Sequence, residues 1–176
     1  MDQLQRALSD RYGLRFIYAD VSDSASVLTS RHLAGPAAAS VLSQALVAVA
    51  LVSSDLENEG EAISIQWKVN GPIGGVLVEA LYGGSLRGYT YRKILSDLDQ
   101  AAAFAPAETL GTEGHMTVLH SMPRQVLYTG IVAATPPDIQ RNLARYYNQS
   151  RQTPTAVAIR VDLDAGRPTR ARGVIA

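Results

Sequence analysis

The sequence predicts an α+β domain with one buried, largely apolar helix and strands paired in hairpins. Three observations point there. No residue from Leu33 to Ser54 is charged. Strand-like stretches come in neighbouring pairs separated by turn residues. Helical stretches do not alternate with strands one for one, which argues against a doubly wound sheet. The 176 residues suit a single domain able to bury roughly 70% of its unfolded surface.

Taken in order, residues 2 to 9 predict a first helix, ending before Gly13. "LRFIYADV" (14–21) is aromatic and β-branched and predicts a strand. Residues 36 to 53 predict a long helix with Pro36 in its first turn, where a missing N–H costs nothing. Its uncharged length also satisfies the rule for a membrane span. Gly35-Pro36 at its start and Ser40, Ser43, Gln44, Ser53 and Ser54 along it favour a buried central helix instead. "AISIQWKV" (62–69) alternates cleanly, with Ile63, Ile65, Trp67 and Val69 on one face and Ser64, Gln66 and Lys68 on the other. Strands at 76–82 and 86–91 follow, joined through Gly83-Gly84, a short-range hairpin signal. "SDLDQAAAF" predicts a helix capped by Ser96 and ended by Pro106. Residues 115–121 and 125–133 predict another antiparallel pair around Met122-Pro123. Thr135-Pro136-Pro137-Asp138 reads as an N-cap, first-turn prolines and an acid at the positive end of a helix dipole. Ile139, Leu143, Tyr146, Tyr147 and Ser150 continue that helix. "TAVAIRVDL" (155–163) and a short "GVIA" (173–176) complete the strands.

Composition narrows the function. Hydrophobic residues make up 47% and charged residues 18%, so extended disorder is not expected. Sixteen basic and sixteen acidic residues cancel. That balance lacks the basic stripe nucleic acid requires, and Arg167, Arg170 and Arg172 alone do not supply one. There is no cysteine, which excludes disulfides, thiolate catalysis and cysteine-held zinc within these residues. "MDQLQRALSD" has no long apolar core, so it is not a secretory signal and a cytoplasmic location is expected.

No catalytic or metal-binding constellation is predicted. "VNGPIGGVLVEA" (69–80) is glycine-rich, but Gly71-Pro72-Ile73-Gly74-Gly75 has neither P-loop nor dinucleotide spacing. It runs into β-favouring residues, so it predicts a turn that reverses the chain. Ser85 in "GGSLRG" lacks the glycines of a nucleophile elbow. His115 and His120 fall on opposite faces of a strand, which disfavours a shared metal. His32 stands alone, a structural or solvated histidine. Asp162-x-Asp164-x-Gly166 opens like a calcium loop, but Gly173 occupies the position of its glutamate. Asp97 and Asp99 suit a helix start. Glu79 interrupts an apolar strand as a candidate buried acid without an evident partner.

Five separated segments occur in an order that resembles the core domain of the redox-regulated 33-kDa heat-shock chaperone family. They are "RHLAGPAAASVLSQALVAVALV", "ISIQWKVNGPIGGVLVEA", "LRGY", "YTGIV" and "YYNQSRQTPTAVAI", and the likeness covers roughly residues 10 to 176. It is weakest over 93–113. Gly71, Pro72, Gly74 and Gly75 match the family's G-D-G-P-x-G-G turn, with Asn70 where aspartate is usual. Arg87, Gly88 and Tyr89 match its R-G-x segment. Ser150, Gln152, Thr153 and Pro154 match S-E-Q-x-P, with Arg151 in place of glutamate, a charge reversal that puts any ion pair there in doubt. "ARGVIA" replaces an A-G-G-rich strand.

The resemblance implies a mainly structural role for these positions and a fold of antiparallel β-sheets packed around a central helix. It implies ATP-independent chaperoning: a homodimer that holds unfolded or partly folded client proteins on apolar surface, with no catalytic residue. The family continues into a zinc-binding four-cysteine switch domain that senses oxidants. Residues 1–176 end where the family's core ends, so a single core domain without that switch and without a cofactor is expected, as an excised piece or a natural short relative. Two rival readings remain: an inert dimerisation or regulatory module, and a hydrolase whose paired acids or oriented histidine are not evident.

Overall fold

The structure, a computed structural model, describes residues 1–100 and 105–176. In chain order the first half contains β1 (Gln3–Ser9), β2 (Leu14–Asp20), α1 (Ser22–Arg31), α2 (Pro36–Val52), β3 (Ala62–Val69), β4 (Gly75–Leu81) and β5 (Leu86–Thr90). The second contains α3 (Ser96–Asp99), α4 (Pro106–Leu110), β6 (Gly114–Met122), β7 (Gln125–Ala133), α5 (Ile139–Gln149), β8 (Val157–Asp164) and β9 (Arg167–Ile175). The strands form a four-stranded sheet ordered β1-β2-β9-β8 and a five-stranded sheet ordered β5-β4-β3-β6-β7. Every pairing is antiparallel.

Helix α2 is the common core of both sheets, touching β2, β8 and β9 of one and β3, β4 and β5 of the other. That placement explains its composition. Only Pro36, Ser40 and Gln44, at four-residue intervals, keep partial exposure; the rest of the helix is buried. With its following 3-10 turn it is long and apolar enough to cross a membrane, yet 83% of its most apolar window is buried inside the fold. Its polar side chains bond locally, Ser43 Oγ donating to the Ala39 carbonyl at 2.7 Å. Close packing also needs a missing side chain opposite: a Cβ on Gly173 would lie 2.5 Å from Val47 Cγ1 and 3.1 Å from Leu51 Cδ1.

The alternation in β3 is realised. Ile63, Ile65 and Trp67 are buried against α2's side of the sheet, with Trp67 fully so. The expected hairpins are present. Gly83 and Gly84 take φ of +90° and +93° between β4 and β5, and Arg124 takes +67° between β6 and β7.

The structure departs from the expected elements at six points. Residues 2–9 are a strand, not a helix: Gln3–Ser9 pairs in unbroken register with Leu14–Asp20. Gly13, at φ +60°, turns the hairpin instead of ending a helix. Leu4 and Leu8, four apart, fit a helical spacing that non-local pairing overrode. Helix α1, absent from the sequence reading, forms in "SDSASVLTSR" despite its serines and β-branched residues. Its first turn is capped from outside, Asp2 accepting from Asp23 N–H at 3.0 Å and Ser24 N–H at 3.2 Å. Ser96 is the first residue of α3 and not its cap; Asp99 accepts the Leu95 N–H at 2.7 Å. Pro106 opens α4 where it was expected to end a helix; the remainder of that expected helix, 101–104, lies outside the described residues. Helix α5 is capped by Asp138, which accepts the Arg141 N–H at 2.7 Å, so Thr135, Pro136 and Pro137 precede it. Finally, β9 is nine residues long and not a short terminal piece. Pro168 is accommodated where the β8–β9 register shifts, between Asp162 and Leu163.

Candidate functional site

The residues singled out in sequence fall into three places. The first is the turn between β3 and β4. Val69 N–H donates to the Gly74 carbonyl at 3.2 Å and Gly74 N–H to the Gly71 carbonyl at 3.0 Å. The turn then docks on the segment before β6: Gly71 N–H donates to the Leu110 carbonyl and Ile73 N–H to that of Thr109. Asn70 Oδ1 accepts from Thr112 N–H at 2.9 Å and Glu113 N–H at 3.0 Å. An oxygen at that atom is what the site needs, and asparagine supplies it as aspartate would. The glycines have separate reasons. A Cβ on Gly71 would sit 2.2 Å from the Leu110 carbonyl carbon and one on Gly75 2.5 Å from the Trp67 oxygen, while Gly74 takes φ +74°. Pro72 is exposed, and its carbonyl accepts from Arg92.

The second place is β5. Register sets Arg87 opposite Glu79 and Tyr89 opposite Leu77. Glu79 therefore has partners that sequence did not reveal, pairing with Arg87 and accepting from Ser64 Oγ at 2.9 Å. They lie across strands, eight and fifteen residues away. Gly88 lets β5 close on β4, since its Cβ would meet Val78 Cγ1 at 2.7 Å. Tyr89 stacks on Tyr91 with ring centroids 6.2 Å apart. Beside this strand opens a cleft of about 380 Å³ with Leu28, Leu77, Val78 and Tyr89 as apolar walls and His32, Glu79 and Arg87 on it. His32 is thus not isolated in space.

The third place follows α5. Gln152 takes φ +52°, Thr153 N–H donates to the Tyr147 carbonyl at 3.0 Å, and Pro154 leads into β8. Arg151, the charge reversal, pairs with Asp55 at 3.3 Å, beside Arg15 at 3.0 Å on the same carboxylate. The turn and β5 are adjacent, Tyr91 N–H donating to the Gly75 carbonyl; this third segment is tied to other elements.

Two features outside these places matter. Glu61 is buried and accepts from Asn58 Nδ2 at 2.5 Å and Glu57 N–H at 3.1 Å, with His120 Nε2 3.1 Å away. Those hydrogen bonds, Asn58's first, hold its carboxyl down to about 2 against burial, with His120 adding to the effect. His115, five residues from His120 on β6, is exposed and pairs across to Lys68 on the other face. The larger feature is apolar surface. Leu4, Leu8, Tyr12, Leu14 and Phe16 are all exposed on the β1–β2 hairpin, and Val126, Leu127 and Ile131 on β7. Reading residues 2–9 as a helix hid the first of these groups.

Comparison with known proteins gives this architecture a lineage. A family model described as Hsp33 protein matches residues 2–176. A 33 kDa chaperonin of Synechococcus sp. (strain JA-3-3Ab) is 27% identical over 175 residues, covering 99% of this chain and 55% of its own length. That of Geobacter sp. (strain M21) is 29% identical over 158 residues, 90% of this chain and 53% of its own. The crystal structure of the 33 kDa chaperonin (heat shock protein 33 homolog) from Thermotoga maritima superposes with a TM-score of 0.85 at 25% identity, over 97% of this chain and 58% of that one. The chain therefore spans a little over half the length of these relatives. Matched by the family model along almost all of its 176 residues, with the two sheets and central helix in place, the chain belongs to the Hsp33 family.

Proposed function

We propose that the chain is an ATP-independent holdase, binding unfolded or partly folded proteins through apolar surface and so preventing their aggregation. The observation that carries this reading is the exposed apolar hairpin, Leu4, Leu8, Tyr12, Leu14 and Phe16, on a chain whose relatives are named 33 kDa chaperonins. Apolar groups held in water bind apolar client segments without a nucleophile, metal or nucleotide. The turn, β5 and Gln152–Pro154 positions fit a structural role: their hydrogen bonds and close approaches fix backbone. The proposal extends to a cytoplasmic homodimer without affinity for nucleic acid or membrane. It extends also to activity that does not respond to oxidants, because no cysteine stands among the 176 residues. Zinc held by cysteine has no ligand here for the same reason, and no cofactor is assigned.

Light scattering from a heat-unfolding client, with and without the chain, tests this. Suppression near stoichiometric ratio is expected. A folded chain that leaves aggregation unchanged would favour an inert dimerisation module, and turnover of ester or peptide substrates a hydrolase.

A further inference from the structure

Among the described residues the two sheets leave four edge strands, and three are blunted. β8 carries Arg160, Asp162 and Asp164 and a register shift, and α5 covers it, Gln140 Oε1 accepting the Ile159 N–H at 2.9 Å. β7 carries an extra residue, Leu127, where its register with β6 shifts, and Arg145 Nη1 donates to its Ala133 carbonyl at 2.6 Å. β5 is five residues long and lies against α1. These are the devices by which proteins stop strands from adding to their edges.

β1 has none of them among the described residues. Its seven residues, QLQRALS, run without proline or register shift and hold a single charge, Arg6. Residues 3 to 8 are exposed on both faces. Alternate residues along it direct N–H and C=O away from β2, the pattern of donors and acceptors that an extended chain completes. Leu4 and Leu8 flank that edge on one face. A groove of about 120 Å³ opens beside it between Gln3, Leu4, Ala50, Gly84 and Leu86.

We propose that an extended apolar segment of an unfolded polypeptide docks on β1 as a fifth strand of the sheet β1-β2-β9-β8. This rests on the holdase reading and gives it a site and a mode. Main-chain pairing supplies affinity that is indifferent to client sequence. The size of the edge fits such an occupant. Seven residues span about 23 Å and a single added strand covers a few hundred Å², well short of the roughly 1,000 Å² a stable association needs. A transient client meets that size, whereas a second copy held by this edge alone does not.

The test uses the 176-residue chain and a permanently unfolded probe, reduced α-lactalbumin capped with iodoacetamide, by fluorescence anisotropy. The paired variants Gln5→Lys with Ala7→Lys, and Gln5→Glu with Ala7→Glu, place charges on exposed edge positions; Ala158→Lys, exposed on the edge strand β8, is the control. Both double variants are expected to weaken probe binding about tenfold, with melting temperature and mass unchanged. The control is expected to bind as the parent does. Hydrogen exchange is expected to slow at alternate amides of Gln3–Ser9 only when the probe is present. Undiminished binding by both folded double variants would overturn the docking site and leave the holdase reading standing. So would opposite effects of lysine and glutamate, which mark a generic charge effect. Protection of β1 without probe, in a particle of twice the mass, would show that a second copy covers the edge and would overturn it too. No binding by the parent chain would remove the holdase reading itself.

Discussion

Trp67 is the largest fully buried side chain in the molecule, and its carbonyl sits where a Cβ on Gly75 would fall. Trp67→Ala is expected to cost about 3–5 kcal/mol, with the parent's tryptophan emission blue-shifted and poorly quenched; red-shifted native emission would contradict its burial. Gly75→Val is expected to destabilise through that clash, and Gly74→Val through its φ of +74°, where L residues are strained, by on the order of 1–3 kcal/mol. Full thermal stability in either variant would contradict the turn geometry. Glu61 sets an acid limit. Its folded carboxyl sits at about 2, below its ordinary value of 4.5, so its contribution is complete above pH 4.5 and is lost as pH falls toward 2. The melting temperature of Glu61→Gln is expected to fall less steeply than the parent's across that window; parallel curves would contradict the assignment.

Among the elements, α2 depends on a cap that comes from elsewhere. Its N-terminal Ala37 N–H donates to Asp99 Oδ1 at 3.0 Å, while Asp99 Oδ2 accepts from Leu95. Gly35 leaves room for that carboxylate, which would otherwise meet its Cβ at 2.2 Å. Asp99→Ala is expected to destabilise the fold by about 1 kcal/mol; a change within error in urea denaturation would contradict the cap. What sequence could and could not convey follows from the same distinction. The β3–β4, β4–β5 and β6–β7 hairpins and α2 were legible because alternation, turn glycines and an uncharged run are local signals. β1 misled because Leu4 and Leu8 fit helical spacing and only pairing with β2 decides otherwise. α1 was missed because its cap, Asp2, lies twenty residues upstream of its first turn. The turn's glycines were legible as a turn, but not the reason for Gly71, which is the approach of Leu110. Glu79 looked unpartnered because Arg87 and Ser64 reach it only across the ladder. Arg151, a departure from the family's glutamate, finds Asp55 ninety-six residues away, a contact no local pattern conveys.

At the scale of the whole molecule, two antiparallel sheets share one apolar helix, and large apolar side chains stand exposed outside that core, among them those on the β1–β2 hairpin and along β7. Such surface is a liability in an inert protein and the working part of a holdase. The sulfur atoms of these 176 residues are all thioethers: Met116 is fully buried, Met122 partly so, and Met1 fully exposed. The most direct test is therefore suppression of client aggregation by the 176-residue chain after matched treatment with reductant, mild peroxide and zinc chelator. The expected result is equal, substantial suppression in all three samples. A several-fold difference between reduced and oxidised samples, with the protein still folded, would contradict constitutive activity, and no suppression in any of them would contradict the holdase itself.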